Sequence, residues 1–117
     1  MVESKVPDQL PGLDCSGGLD RASDDFGFYL SLWEQYEARY HNLLSQFTNL
    51  FNTGDIDQLH NYAHGVKGVC ATLGAVGVQA IASEIEQLIT IPDDHGVFFL
   101  NQLQQEQNKL AESLIIL

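Results

Sequence analysis

A short helical segment carries three residues whose types and spacing suit phosphoryl chemistry. In "NYAHGVKGVCATLGA", residues 61–75, His64 is followed by Lys67 and Gly68, which lie three and four residues later and share its helix face. An exposed neutral imidazole is a competent nucleophile at physiological pH. A lysine one turn away can offset the negative charge of a phosphoryl group on the ring. The segment therefore predicts a nucleophilic histidine with a cation placed to offset the charge of a phosphoryl group.

Two glycines in the middle of this segment need a reason. Glycine inside a helix costs about 1 kcal/mol relative to alanine. Gly68 removes a side chain that would crowd the imidazole, so that the active site of another protein can close over His64. Gly65 has no comparable explanation in the sequence.

The helical phase predicts that His64 faces solvent. At 100° per residue His64 lies about 160° from the centre of the apolar stripe at Val66. The stripe consists of Leu59, Tyr62, Ala63, Val66, Val69, Cys70 and Leu73. No phosphate-cradling glycine loop and no Ser/His/Asp set accompanies the histidine, so we expect a partner to supply the catalytic apparatus.

The rest of the chain predicts a helical framework for this segment. Apolar residues recur every three or four positions over about 24–52 (one long helix or two nearly coaxial ones), 55–73, 76–90 and 95–115, with a short helix or turn before them. Asp55 followed by Gln58 imitates a capping box, and Gly54 and Gly74 end helices. No β-alternation is evident. We expect an all-α, antiparallel up-down four-helix bundle with a short extra N-terminal helix over residues 13–117. Residues 1–12 are expected to be a linker or tail.

The charge balance restricts the partners. The sequence holds 16 Asp and Glu against 5 Lys and Arg, a formal net charge of −11 at pH 7. Such a surface repels nucleic-acid phosphates and anionic lipid, so we expect neither nucleic-acid binding nor direct membrane contact. Cys15 and Cys70 lie in different segments and form no CxxC pair, which favours a reducing cytoplasmic setting.

At these residues the sequence resembles the histidine-containing phosphotransfer (HPt) domains of multistep phosphorelays. "AHGVKG…LGA" is similar to the family pattern of Ala-His, Lys at +3, Gly at +4 and a later Leu-Gly-Ala, and the resemblance covers roughly residues 10–115. It implies that His64 is phosphorylated, that Lys67 compensates charge and that Gly68 admits the partner. It also implies that Glu86 can hydrogen-bond the imidazole and orient it.

The resemblance further implies the partners, the cofactor requirement and the setting of the domain. Its partners would be response-regulator receiver domains, which provide the aspartate and the Mg²⁺, so no cofactor and no autonomous kinase activity are expected in this domain. "LPGLD", residues 10–14, is similar to the entry of HPt domains fused to hybrid sensor kinases. A free-standing phosphotransfer protein is the competing origin. We expect a monomer in the cytoplasm, either free or tethered to the inner membrane through a parent kinase.

Two other readings of the histidine stay open. The domain could be a helical docking scaffold whose His64 is vestigial. Alternatively, His60 and His64 form a His-x-x-x-His pair with the spacing of a zinc site, although no third ligand is evident. A further expectation concerns docking, since Ala71, Ala75 and Leu13 are predicted to form an apolar patch beside His64.

Overall fold

Six helices and one small hairpin form the fold in the computed structural model, which describes residues 7–117. The elements are β1 (Gln9–Leu10), β2 (Leu13–Asp14), α1 (Cys15–Arg21), α2 (Phe26–Tyr40), α3 (Leu43–Thr53), α4 (Ile56–Leu73), α5 (Val76–Glu86) and α6 (Val97–Ile116). The predicted helical class is therefore confirmed. Within residues 7–117, no helix combines the length and apolar character that crossing a bilayer requires.

The long apolar segment forms two helices rather than one. The helix is interrupted at His41 and Asn42, and the Asn42 side chain makes no capping hydrogen bond there. The buried stripe nevertheless continues across the break from Tyr36 and Tyr40 to Leu43. The same face therefore points to the core before and after the interruption.

The helix ends follow the local sequence signals. The side chain of Asp25 accepts a hydrogen bond from the Phe28 amide at 2.9 Å, and that of Asp55 accepts one from the Gln58 amide at 3.1 Å. Gly54 and Gly74 end their helices with φ of 75° and 86°, a left-handed conformation that favours glycine. Helix α5 ends at Glu86, earlier than the predicted residue 90, because the chain turns after Gln87.

The N-terminal segment covers the end of α4. Antiparallel pairing of β1 with β2 makes the expectation of no β structure wrong, although the sheet is small. The Asp14 amide donates to the Gly74 carbonyl at 2.7 Å, and the Ser113 hydroxyl donates to the Pro11 carbonyl at 2.8 Å. Residues 9–12 of the predicted tail thus contact the helices, whereas residues 1–6 lie outside the described residues. The domain boundary at residue 13 stays a prediction.

The core lies where α2–α6 meet. Helix α4 packs most extensively on α5, and further contacts join α3 to α4, α5 to α6 and α3 to α6. Among the aromatic residues predicted for the core, Trp33, Tyr36 and Phe47 are buried and Phe26 is half-buried. Cys15 and Cys70 are both buried and free. Helix α4 is therefore held on several sides, which fixes the direction of its exposed face.

Candidate functional site

Helix α4 presents His64 to solvent. Its core face is buried, from Leu59 through Val66 to Leu73, whereas 71% of the His64 side chain is exposed. This confirms the orientation predicted from the helical phase. The imidazole is therefore accessible to a partner.

Helix α5 brings a carboxylate to the ring. Because only Gly74 and Ala75 separate the two helices, α5 runs back along α4 and places Glu86 beside His64. Oε2 of Glu86 lies 2.5 Å from Nδ1 of His64. A carboxylate accepts a hydrogen bond, so this contact assigns the ring proton to Nδ1. The lone pair on Nε2 is then free to act as a nucleophile.

The second oxygen of the same carboxylate binds Lys67. The Lys67 ammonium donates to Oε1 of Glu86, so that one carboxylate joins the imidazole and the lysine. The hydrogen bond from Lys67 lowers the pKa of Glu86 below its ordinary value of 4.5, and the bond from His64 adds to this, against partial desolvation. Glu86 is therefore ionised at physiological pH. The sequence did not predict that Lys67 is paired within the chain.

The chain's own packing does not require either glycine beside the histidine. A Cβ at Gly68 would meet nothing within 4 Å, and a Cβ at Gly65 would lie 3.7 Å from the Tyr40 hydroxyl, an ordinary contact. The space above Gly68 is open to the outside. That this room serves another molecule stays a prediction.

The other histidine of α4 has a different environment. Nε2 of His60 lies 2.5 Å from the Leu88 carbonyl oxygen, whereas the Glu86 carboxylate binds His64 and Lys67. Across residues 7–117, no three His, Cys, Asp or Glu side chains gather closely enough to hold a metal ion. The described residues thus provide no third ligand for a zinc site at His60 and His64.

The predicted apolar docking patch is wrong. Leu13 and Ala75 are fully buried, and Ala71 is half-buried. The strand β2, which carries Leu13, packs on α5, and α1 packs on α4. These contacts join residues distant in sequence, so helical phase could not predict them.

A groove between α2 and α4 was missed as well. It borders the exposed face of α4, and Arg39 lies at its rim. The sequence signal that could have drawn attention to this groove was Arg39, the lone basic residue of α2, a helix that also holds Glu34 and Glu37.

Comparison with protein families identifies the family of the chain. A model of the Hpt domain matches residues 31–114, which is most of the chain and includes His64, Lys67, Gly68 and Glu86. The match begins within α2, so the hairpin and α1 lie outside it. Searches of curated proteins and of solved structures gave no significant match.

Proposed function

Because the chain belongs to the Hpt domain family, whose members take part in histidine phosphotransfer in phosphorelay signalling, we propose that His64 is its phosphorylated residue. In this proposal His64 takes a phosphoryl group from the aspartate of one receiver domain and passes it to another. The observation that carries the proposal is the contact of Glu86 with Nδ1 of an otherwise exposed ring.

The proposed transfer uses the lone pair on Nε2 of His64. Nε2 attacks the phosphorus of the receiver's acyl phosphate, a P–N bond forms, and the P–O bond to the aspartate breaks with its electron pair leaving on the carboxylate. The ring, protonated at Nδ1, gains positive charge as the P–N bond forms. The Glu86 carboxylate accepts the Nδ1 hydrogen bond and stabilises that charge, as a buried aspartate does in a Ser-His-Asp triad.

Lys67 has two roles in this proposal. Before transfer its ammonium is bound to Glu86, which keeps it within reach of the ring. When the phosphoryl group arrives, the ammonium can turn toward the phosphoryl oxygens and compensate their charge. Gly68 leaves room for the receiver, which supplies the Mg²⁺ and the aspartate, and positioning with charge stabilisation dominates such reactions.

The proposal also covers the setting of the domain. The contacts of α3, α4, α5 and α6 with one another support an antiparallel four-helix arrangement around the core. We propose that the domain acts as a monomer in the cytoplasm, either free or at the carboxyl end of a hybrid sensor kinase. It carries no kinase activity of its own.

A transfer assay tests the proposal. Purified receiver domains are phosphorylated with radiolabelled acetyl phosphate and Mg²⁺ and then mixed with this protein. We expect acid-labile, alkali-stable label on the wild type and on His41→Gln, an exposed control, and none on His64→Gln. Label that persists on folded His64→Gln would refute the role of His64. A receiver that binds but transfers no label would favour the scaffold reading instead.

A further inference from the structure

Among residues 7–117 of this strongly acidic chain, Arg39 is a basic side chain without a carboxylate partner. The sequence has 16 acidic residues against 5 basic ones. Within residues 7–117, the ion pairs involve His64, Lys67 and Lys109, but not Arg39. Its guanidinium carbon lies 5.2 Å from the centroid of the Tyr40 ring. Stacking on the ring holds the cation in place and leaves its N–H donors free for a partner.

The groove beside Arg39 has an apolar floor. It lies between α2 and α4 and has a volume of about 230 Å³. We call it the Arg39 groove; its floor includes Leu32, Val69 and Leu73, and its rim consists of Gln35, Arg39 and Thr72. Pockets for small molecules usually measure about 300–1,000 Å³, so this groove suits a side chain of a partner better than a free ligand.

The Arg39 groove is continuous with the surface around His64. Tyr40, which lines the groove, has its hydroxyl 3.7 Å from where a Cβ at Gly65 would stand. The α4 wall of the groove then runs through Val69 to the exposed Thr72. A partner protein that covers His64 and Gly68 therefore also lies over the α4 wall of the groove.

These observations point to one kind of occupant. We propose that the Arg39 groove is a second contact for the receiver domain, in which an apolar receiver side chain enters the groove and a neighbouring receiver carboxylate pairs with Arg39. This inference rests on the proposed function, because it concerns the same partner. It makes Arg39 a residue that selects receivers by charge.

Charge favours this occupant over the others. A second copy of this chain would bring another net charge of −11, which opposes self-association. Nucleic acid would meet the same repulsion. A carboxylate on a receiver instead meets an unmatched guanidinium held against an aromatic ring, and an Arg–carboxylate pair can be bidentate.

Steady-state transfer kinetics test the inference. The receiver that transfers label to the wild type fastest serves as the donor, and its concentration is varied with each variant. The variants are Arg39→Ala, Arg39→Glu, Arg39→Lys and Gln35→Trp. The last one places a bulky side chain at the groove rim. We expect KM to rise about fivefold for Arg39→Ala and about tenfold for Arg39→Glu, with kcat unchanged. Gln35→Trp should also raise KM. Arg39→Lys keeps the positive charge, so its KM should stay closer to that of the wild type than the KM of Arg39→Ala. The salt dependence of KM should weaken in Arg39→Ala.

Two controls separate docking from chemistry. Lys109→Ala removes a cation from α6, where it pairs with Glu106, and should leave KM unchanged. Phosphoramidate, a small donor that transfers its phosphoryl group to imidazole with release of ammonia, should label all groove variants at the wild-type rate. Equal melting temperatures would show that the variants are folded.

The outcomes distinguish this inference from the proposed function. An unchanged KM in Arg39→Glu and Gln35→Trp overturns the Arg39 groove as a receiver contact and leaves the role of His64 intact. A fall in kcat with phosphoramidate would mean that Arg39 acts on the histidine itself, which also overturns it. A wild type that accepts no phosphoryl group from any receiver overturns both proposals.

Discussion

Oε2 of Glu86 lies 2.5 Å from Nδ1 of His64, so the ring carried by α4 is oriented by a carboxylate at the last residue of α5. We predict that Glu86→Ala slows phosphoryl transfer to His64 about tenfold, because the ring loses its orientation and the charge that stabilises the phosphorylated imidazole. Glu86→Gln should fall between the wild type and Glu86→Ala, since its amide oxygen can still accept the Nδ1 hydrogen bond but carries no charge.

Single-turnover kinetics with phosphoramidate measure this effect without a receiver. Glu84→Ala is the matched control, because Glu84 is an exposed glutamate on the same helix. Equal rates for Glu86→Ala and Glu84→Ala would contradict the orienting role of Glu86.

The ionisation of Glu86 gives a prediction on pH. Lys67 is the main cause that lowers the pKa of Glu86 below 4.5. Because the folded value is the lower one, the stabilisation from this carboxylate is fully present above pH 4.5 and is lost as the pH falls through the folded pKa. A titration of the side-chain carboxyl carbons by NMR should give a pKa below 4.5 for Glu86. Lys67→Met should raise that pKa, and Lys109→Met should not.

A Glu86 pKa at or above 4.5 in the wild type would contradict the ion pair with Lys67. So would a Lys67→Met titration that coincides with the wild type.

The open space at Gly68 leads to opposite effects on stability and on transfer. Gly68→Ala should stabilise the protein by about 0.5–1 kcal/mol, because the added Cβ meets nothing within 4 Å and alanine favours the helix. Gly68→Gln should keep the fold but slow transfer from a receiver, since its side chain occupies the space that the partner needs. Urea unfolding and receiver kinetics measure the two effects. Unchanged receiver kinetics in Gly68→Gln would remove the steric explanation of the glycine.

The end of α4 depends on a hydroxyl from α2. The buried Tyr29 hydroxyl donates to the Leu73 carbonyl at 2.7 Å. Tyr29→Phe leaves that carbonyl without this donor and should cost about 1–2 kcal/mol in the free energy of unfolding. Tyr62→Phe is the control, because the buried Tyr62 hydroxyl has no hydrogen-bond partner within residues 7–117. It should change stability by less than about 0.5 kcal/mol. Equal losses in the two variants would contradict the prediction.

The sequence predicted those parts of the site that lie on one helix. His64, Lys67 and Gly68 share a face of α4 by spacing alone, and the capping role of Asp55 was visible in the same way. The contact with Glu86 needed the packing of α5 on α4, which periodicity does not determine, and that residue was reached only through the family resemblance. The pairing of Lys67 with Glu86 was not predicted for the same reason.

Features made by contacts distant in sequence were missed or mistaken. The bond from Asp14 to Gly74 and the bond from Ser113 to Pro11 join the hairpin of β1 and β2 to the helices, and no alternating apolar pattern marks the hairpin in the sequence. Leu13 of this hairpin is fully buried, although it was predicted to be exposed. The break after Tyr40 carries neither glycine nor proline, so the sequence could only leave one long helix and two nearly coaxial ones as alternatives.

The proposed roles of His64 and Glu86 depend on which nitrogen of the His64 ring receives the phosphoryl group. NMR of the ¹⁵N-labelled protein after phosphorylation can identify that nitrogen through its coupling to phosphorus. We predict coupling to Nε2 of His64, with Nδ1 still carrying the proton that Glu86 accepts. Coupling to Nδ1, or to the ring of another histidine, would contradict the account.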